Sequence, residues 1–93
     1  MDRKVLADAD ITLKLKEIKN WKLEGIEIKK VVELKDFVHS MGFVNSVALL
    51  AEKLNHHPDI DVRWNKVTLV LSTHSEGGLT ELDFALAKMI DEL

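Results

Sequence analysis

The chain contains no cysteine, which removes a disulfide framework, a thiolate zinc site and a cysteine nucleophile together. The fold must be held by its core alone. Long hydrophobic runs are also missing. The longest unbroken apolar stretch is Val47 to Ala51, far short of the roughly 20 residues that span a bilayer. Met1-Asp2-Arg3-Lys4 leads into no signal-type hydrophobic segment, so the expectation is a cytoplasmic, unprocessed protein with no membrane association. Proline occurs once, at Pro58, and no repeat, low-complexity tract or Pro/Gly/Ser linker divides the 93 residues. Residues 1–93 are therefore read as one domain. No arginine cluster is present. Residues 1–35 carry nine Lys/Arg against seven Asp/Glu, and residues 36–93 carry four against nine. An acidic second half is a poor electrostatic footprint for nucleic acid, and direct nucleic-acid binding is not expected.

What is present is the balance of an ordinary globular chain. Apolar residues make up 46% and charged residues 31%, well away from the composition of disorder. Ile11, Leu15 and Ile18 recur at helical spacing and predict a short amphipathic helix ending before Asn20. Trp21 and Leu23, the Glu24-Gly25 pair, and then Ile26, Ile28, Val32 and Leu34 predict two strands joined by a tight hairpin, with Lys30 breaking the alternation. Asp36 is a candidate N-cap for a long helix with the stripe Phe37, Met41, Val44, Ala48 and Ala51. That helix should end at Asn55 or His56, because the residue before Pro58 is pushed out of helical conformation. Ile60, Val62 and Trp64, then Val67, Leu69, Leu71 and Thr73, predict a second hairpin around Asn65-Lys66. Thr80-Glu81-Leu82-Asp83 has the form of a capping box opening a last helix with the stripe Leu82, Leu86, Met89 and Leu93. The order α-β-β-α-β-β-α implies an α+β fold, a four-stranded antiparallel sheet with helices on one face. The other face would be left bare, so self-association is expected.

Three of the four histidines fall at element ends: His56 and His57 before Pro58, and His74 at the end of a strand, immediately before the Gly77-Gly78 turn. An imidazole is a base when neutral and an acid when protonated near pH 7. Two or three around one cavity could take and deliver a proton, while adjacent loop histidines can equally be solvated. A zinc site is disfavoured, because neighbouring side chains diverge and no H-E-x-x-H pattern occurs. Trp64, alternating with Ile60 and Val62, is read as packing, Lys53 as a solvated helix charge and His39 as a surface histidine.

The segment Glu52-Lys53-Leu54-Asn55-His56-His57-Pro58, followed by Trp64, Leu71-Ser72-Thr73-His74, Gly77-Gly78-Leu79-Thr80 and Asp83, resembles the signature of the pterin-4a-carbinolamine dehydratase family. Lys35-Asp36-Phe37, Gly42-Phe43, Val47-Ala48 and, weakly, Trp21 extend the resemblance upstream. The resemblance implies loss of water from a 4a-hydroxytetrahydropterin to give a quinonoid dihydropterin, with neither metal nor organic cofactor. It implies that His56, His57 and His74 are the catalytic histidines and that Glu52 is a carboxylate beside them, with Glu52 or Asn55 orienting His56. The backbone of Ser72, Thr73 and Ser75 would meet the amide-like edge of the pterin ring. Asp83 matches a family position too, although its capping-box spacing already accounts for it. The resemblance further implies a homodimer or homotetramer. It leaves one alternative of another class, a non-catalytic dimerisation cofactor or assembly factor on the same fold.

Overall fold

The structure is a computed structural model, and it describes residues 2–93. The elements run α1 (Asp8–Leu15), β1 (Lys22–Glu24), β2 (Glu27–Glu33), α2 (Phe37–Leu54), β3 (Asp59–Arg63), β4 (Lys66–Leu71), a 3₁₀ turn (His74–Glu76) and α3 (Glu81–Asp91). The strands form one antiparallel sheet in the order β1-β2-β4-β3. The fold is the expected α+β arrangement in the expected element order.

Alternation along the strands divides the sheet into two unlike faces. Ile28, Val67, Leu69 and Leu71 are fully buried and pack with Val47 and Ala51 of α2 and with Leu86, Ala87 and Ile90 of α3. Pairing of Ile28 with Leu71 and of Val32 with Val67 keeps these residues on the same face. Each fully buried aliphatic side chain contributes about 1.5–3 kcal/mol by leaving water. The opposite face carries Lys29, Val31 and Glu33 of β2 opposite Val70, Thr68 and Lys66 of β4, with Asp59, Asp61 and Arg63 on β3. No helix among the described residues is long and apolar enough to cross a membrane.

Lys30, which interrupts the apolar alternation of β2, has a specific partner. Its Nζ donates to Asp91 Oδ1 at 2.6 Å, the same oxygen accepts Trp21 Nε1–H at 2.9 Å, and Asp91 Oδ2 accepts the Lys19 backbone N–H at 2.8 Å. The ammonium also lies 5.9 Å from the Trp21 ring centroid, within cation–π range. One carboxylate from the end of α3 thus ties down the chain leading into β1 and fills the charged position in β2.

Local signals set the helix ends. Asp36 caps α2, its Oδ1 accepting the His39 backbone N–H at 2.8 Å. That backbone bond, together with the His39 ring, holds the Asp36 carboxyl below its ordinary pKa. At the other end Asn55 adopts the left-handed conformation, with φ of 50°, which Asn tolerates better than most residues. The chain leaves α2 one residue before His56, as the position of Pro58 requires.

Four expectations are corrected. The first helix starts at Asp8 and ends at Leu15, with Asp8 and Asp10 in its first turn, where carboxylates favour the positive end of the helix dipole. Ile18 lies beyond it and still reaches the core. On α2 the buried residues are Ser40, Val47 and Ala51, whereas Phe37, Met41 and Ala48 of the expected stripe are exposed. A helix apolar on several sides offers more than one 3,4-spaced stripe, and packing against β4 and α3 decided which one turned inward. In α3 Phe84, Ala87 and Ile90 join Leu82 and Leu86 in the core, while Leu93 lies past the helix end and is exposed. Trp64 is not a packed strand residue. It sits in the β3–β4 turn with φ of 52° and is 68% exposed.

Candidate functional site

Beyond the end of α2, successive residues fall into opposite environments. His56 is buried and His57 is exposed. His56 hangs from the last turn of the helix, its backbone N–H bonded to Ala51 O at 3.0 Å. Its Nε2 lies 2.5 Å from Asp83 Oδ1. The other carboxylate oxygen, Asp83 Oδ2, accepts the Thr73 hydroxyl at 2.8 Å and the Thr80 backbone N–H at 2.9 Å. Thr73 Oγ1 and Thr80 Oγ1 are 2.8 Å apart, and Thr80 Oγ1 accepts the Leu82 N–H at 3.3 Å. Residues from the α2 exit, the end of β4 and the start of α3 thus close one buried polar network.

Asp83 therefore has two roles. It completes the capping box expected from its spacing, and it also holds His56. The orientation of His56 by Glu52 or Asn55 is corrected on this point: Glu52 Oε2 lies 2.5 Å from Nε2 of His57, and Asn55, in the left-handed conformation, offers its backbone carbonyl to Arg3. The reason is local geometry. With the helix ended at Leu54 and the chain reversed at Asn55, His56 points under α3 and only His57 remains on the outside with Glu52.

The remaining residues lie along the exit of β4. Ser72 is buried, its Oγ donating to Ile26 O at 2.8 Å. Thr73 is buried in the Asp83 network, His74 follows it into the exposed 3₁₀ turn, and Ser75 is exposed in the same turn. Thr73 N–H bonds Gly78 O at 3.0 Å, which draws the turn closed at Gly77, where φ is 76°. His74 is thus one residue from the network that holds His56. Two residues that sequence spacing did not single out come close to it. Glu27, at the start of β2, and Asp59, at the start of β3, each place a carboxylate oxygen within 4.8 Å of a His74 ring nitrogen and of each other. Only the strand order brings positions 27, 59 and 74 together. Two carboxylates and an imidazole are donors a divalent cation accepts, and among the described residues this is the one grouping of that kind. A cleft of about 250 Å³ between α1 and α3, lined by Lys14, Glu17, Glu81, Phe84, Ala85 and Lys88, shares no residue with the histidines.

Chemically the arrangement offers three imidazoles in two settings. His56 and His57 are each anchored through Nε2 to a carboxylate, which leaves Nδ1 as the second nitrogen of each ring. His74 has neither ring nitrogen hydrogen-bonded among the described residues. Such a set can exchange protons with a bound molecule at more than one atom.

The class defined so far is a two-layer α+β protein with an open-faced antiparallel sheet and a histidine–carboxylate cluster at one sheet end. Comparison narrows it. Residues 4–93 match the family described as pterin 4 alpha carbinolamine dehydratase, and the chain belongs to that family. A relative from Roseiflexus sp. (strain RS-1) is 51% identical over 88 residues, covering 95% of each chain, and one from Trichodesmium erythraeum is 46% identical over 89 residues, covering 96% of each. Both are named provisionally as pterin-4-alpha-carbinolamine dehydratases. Among solved structures, a transcriptional coactivator/pterin dehydratase from Brucella melitensis superposes with a TM-score of 0.91 at 35% identity, over 96% of this chain and 97% of that one. A pterin dehydratase-like RuBisCO assembly factor of the alpha-carboxysome shares the fold with a TM-score of 0.67 at 22% identity, over 82% of this chain and 90% of that one.

Proposed function

We propose that the protein is a cytoplasmic 4a-hydroxytetrahydrobiopterin dehydratase that acts in tetrahydrobiopterin recycling by general acid–base catalysis. The observation that carries the reading is the pairing of His56 and His57 with two different carboxylates at 2.5 Å, with His74 following the Thr73 that shares the Asp83 carboxylate, in a chain of this family. In the reaction the C4a–O bond of the carbinolamine breaks, the hydroxyl leaves as water after taking a proton, and the C4a=N5 double bond forms as N5 loses its proton. One acid and one base suffice, and no metal or organic cofactor enters the proposal. His56, anchored in the Asp83 network, takes the N5 proton. His57 or His74, both exposed, protonates the departing hydroxyl. The exit of β4 through Ser72, Thr73 and Ser75 supplies a backbone edge for the amide-like side of the pterin.

Stopped-flow ultraviolet absorbance of chemically generated 4a-hydroxytetrahydropterin, with and without the protein, tests the class. The expected result is acceleration over the spontaneous rate. A rate unchanged by wild-type protein overturns the reading. His57→Ala or His74→Ala should lower the catalysed rate by up to about 10²- to 10⁴-fold, as removal of an acid or base does. Background dehydration sets the floor of the measurable loss.

A second reading has an observation of its own. Phe37, Val38, Met41 and Leu49 of α2 are all exposed, Val38 at 76% and Leu49 at 74%. A helix with that much uncovered apolar surface supports association through α2, as a homodimer or homotetramer or with another protein. A non-catalytic dimerisation cofactor or assembly factor would use this surface and have no need of the histidines. Light scattering distinguishes self-association, and the stopped-flow measurement distinguishes scaffold from enzyme.

A further inference from the structure

The buried network around Asp83 contains few protons, and their number sets the direction of every bond in it. Thr73 has one hydroxyl proton, which it donates to Asp83 Oδ2 at 2.8 Å. It then has none left for Thr80, so across the 2.8 Å contact between the two hydroxyls Thr80 is the donor and Thr73 the acceptor. Thr80 Oγ1 in turn accepts from the Leu82 N–H, and Asp83 Oδ2 also accepts from the Thr80 N–H. All these donors point toward the carboxylate. Asp83 meets His56 as an acceptor, so Nε2 of His56 carries the proton in their 2.5 Å contact.

The other ring nitrogen follows. Among the described residues Nδ1 of His56 has no hydrogen-bond partner, yet every fully buried side-chain nitrogen and oxygen there has one. Nδ1 therefore reaches the solvent-accessible surface even though the residue as a whole is 6% exposed. An imidazole protonated on Nε2 and open on Nδ1 offers a lone pair at the surface and keeps its N–H inside.

We infer that Thr73 and Thr80 are positioning residues which, acting through Asp83, hold His56 as the Nε2–H tautomer with Nδ1 free to accept a proton. The capping box of α3 is thereby part of the proton-transfer apparatus, because the carboxylate that caps the helix also sets the tautomer. As a statement about catalysis this rests on the proposed function. As a statement about the tautomer it stands alone.

Long-range ¹H–¹⁵N correlation spectra of the full ¹⁵N-labelled chain test it, with the His56 ring assigned by its loss in His56→Gln. In its neutral form the wild-type His56 ring should show a protonated Nε2 and an unprotonated Nδ1. A wild-type ring protonated on Nδ1 overturns the inference without need of any variant. Thr73→Val keeps the shape and removes the hydroxyl, and should mix the two tautomers and lower kcat between about 10- and 100-fold, the scale of a misplaced catalytic group, with KM changed less than about twofold. Thr73→Ser and Thr80→Ser should restore the wild-type spectrum and kcat. A Thr73→Val protein that is folded by circular dichroism and leaves both the His56 shifts and kcat unchanged overturns the positioning role. If wild type fails to accelerate dehydration while the tautomer shifts as expected in Thr73→Val, the positioning inference stands and the dehydratase reading falls.

Discussion

His56 and His57 are neighbours in the chain, and each meets a carboxylate through Nε2 at 2.5 Å. Their settings are opposite. In the His56–Asp83 pair the side chains are 7% and 0% exposed, and in the His57–Glu52 pair 55% and 76%. Equal distance does not mean equal energy. Water competes for the outer pair and screens it, so it is worth at most about 1 kcal/mol. The inner pair has no such competitor, and removal of one partner leaves a buried polar group with nothing to bond. The inner carboxylate has two further donors and a fixed geometry, whereas the outer one is free to move with its side chain. The pair that can be relied on for orientation is the buried one, and the pair that can reach a ligand by moving is the exposed one.

The largest expected effect comes from breaking the inner pair. Asp83→Ala removes the partner of His56, the acceptor of Thr73 and half of the α3 capping box together, and should destabilise the chain by about 3–5 kcal/mol in urea unfolding. A loss under about 1 kcal/mol would mean that the network is not tight in solution. Asp91→Ala removes another shielded carboxylate, with Lys30 and Asp91 side chains 14% and 5% exposed. It should cost about 2 kcal/mol, in the range for hydrogen bonds to a charged group, and Trp21 fluorescence should report the lost indole bond. Glu52→Gln should change stability by less than about 1 kcal/mol, and raising the salt concentration should shrink the difference. A larger loss would show that the outer pair is structural after all. The smallest effect concerns Asp36 at the start of α2. Its carboxyl is held below the ordinary value of 3.8, first by the His39 backbone N–H and then by the His39 ring. Because the folded value is the lower one, this stabilisation is fully present above the unfolded value and is lost as pH falls through the folded one. Asp36→Asn, which still caps, should remove that part of the acid dependence from urea midpoints measured through the carboxylate range.

Part of this was open to reading in advance. The helix from Asp36 to Asn55 was legible because its ends are written locally, by a side-chain cap at one end and by the approach of Pro58 at the other. Thr80-Glu81-Leu82-Asp83 was legible for the same reason. Which face of α2 turned inward was not. Phe37, Met41 and Ala48 fit a helical stripe as well as Val47 and Ala51 do, and only contact with β4 and α3 separates them. Lys30 read as a break in a strand until Asp91, 61 residues away, supplied its partner.

The sequence by itself determined the order of elements, the caps that open α2 and α3, and the family signature with its three histidines, because these depend on interactions between residues close along the chain or on residue identity alone. The tertiary structure alone decided that Asp83 rather than Glu52 holds His56, that Thr73 and Thr80 share that carboxylate, and that Glu27 and Asp59 lie beside His74. Those contacts join the α2 exit, the β4 end and the α3 start, or different strands, and no periodicity encodes which of several carboxylates will arrive. Burial then separates the two histidine pairs: the same 2.5 Å contact is an anchor where water is excluded and a mobile, screened pair where it is not.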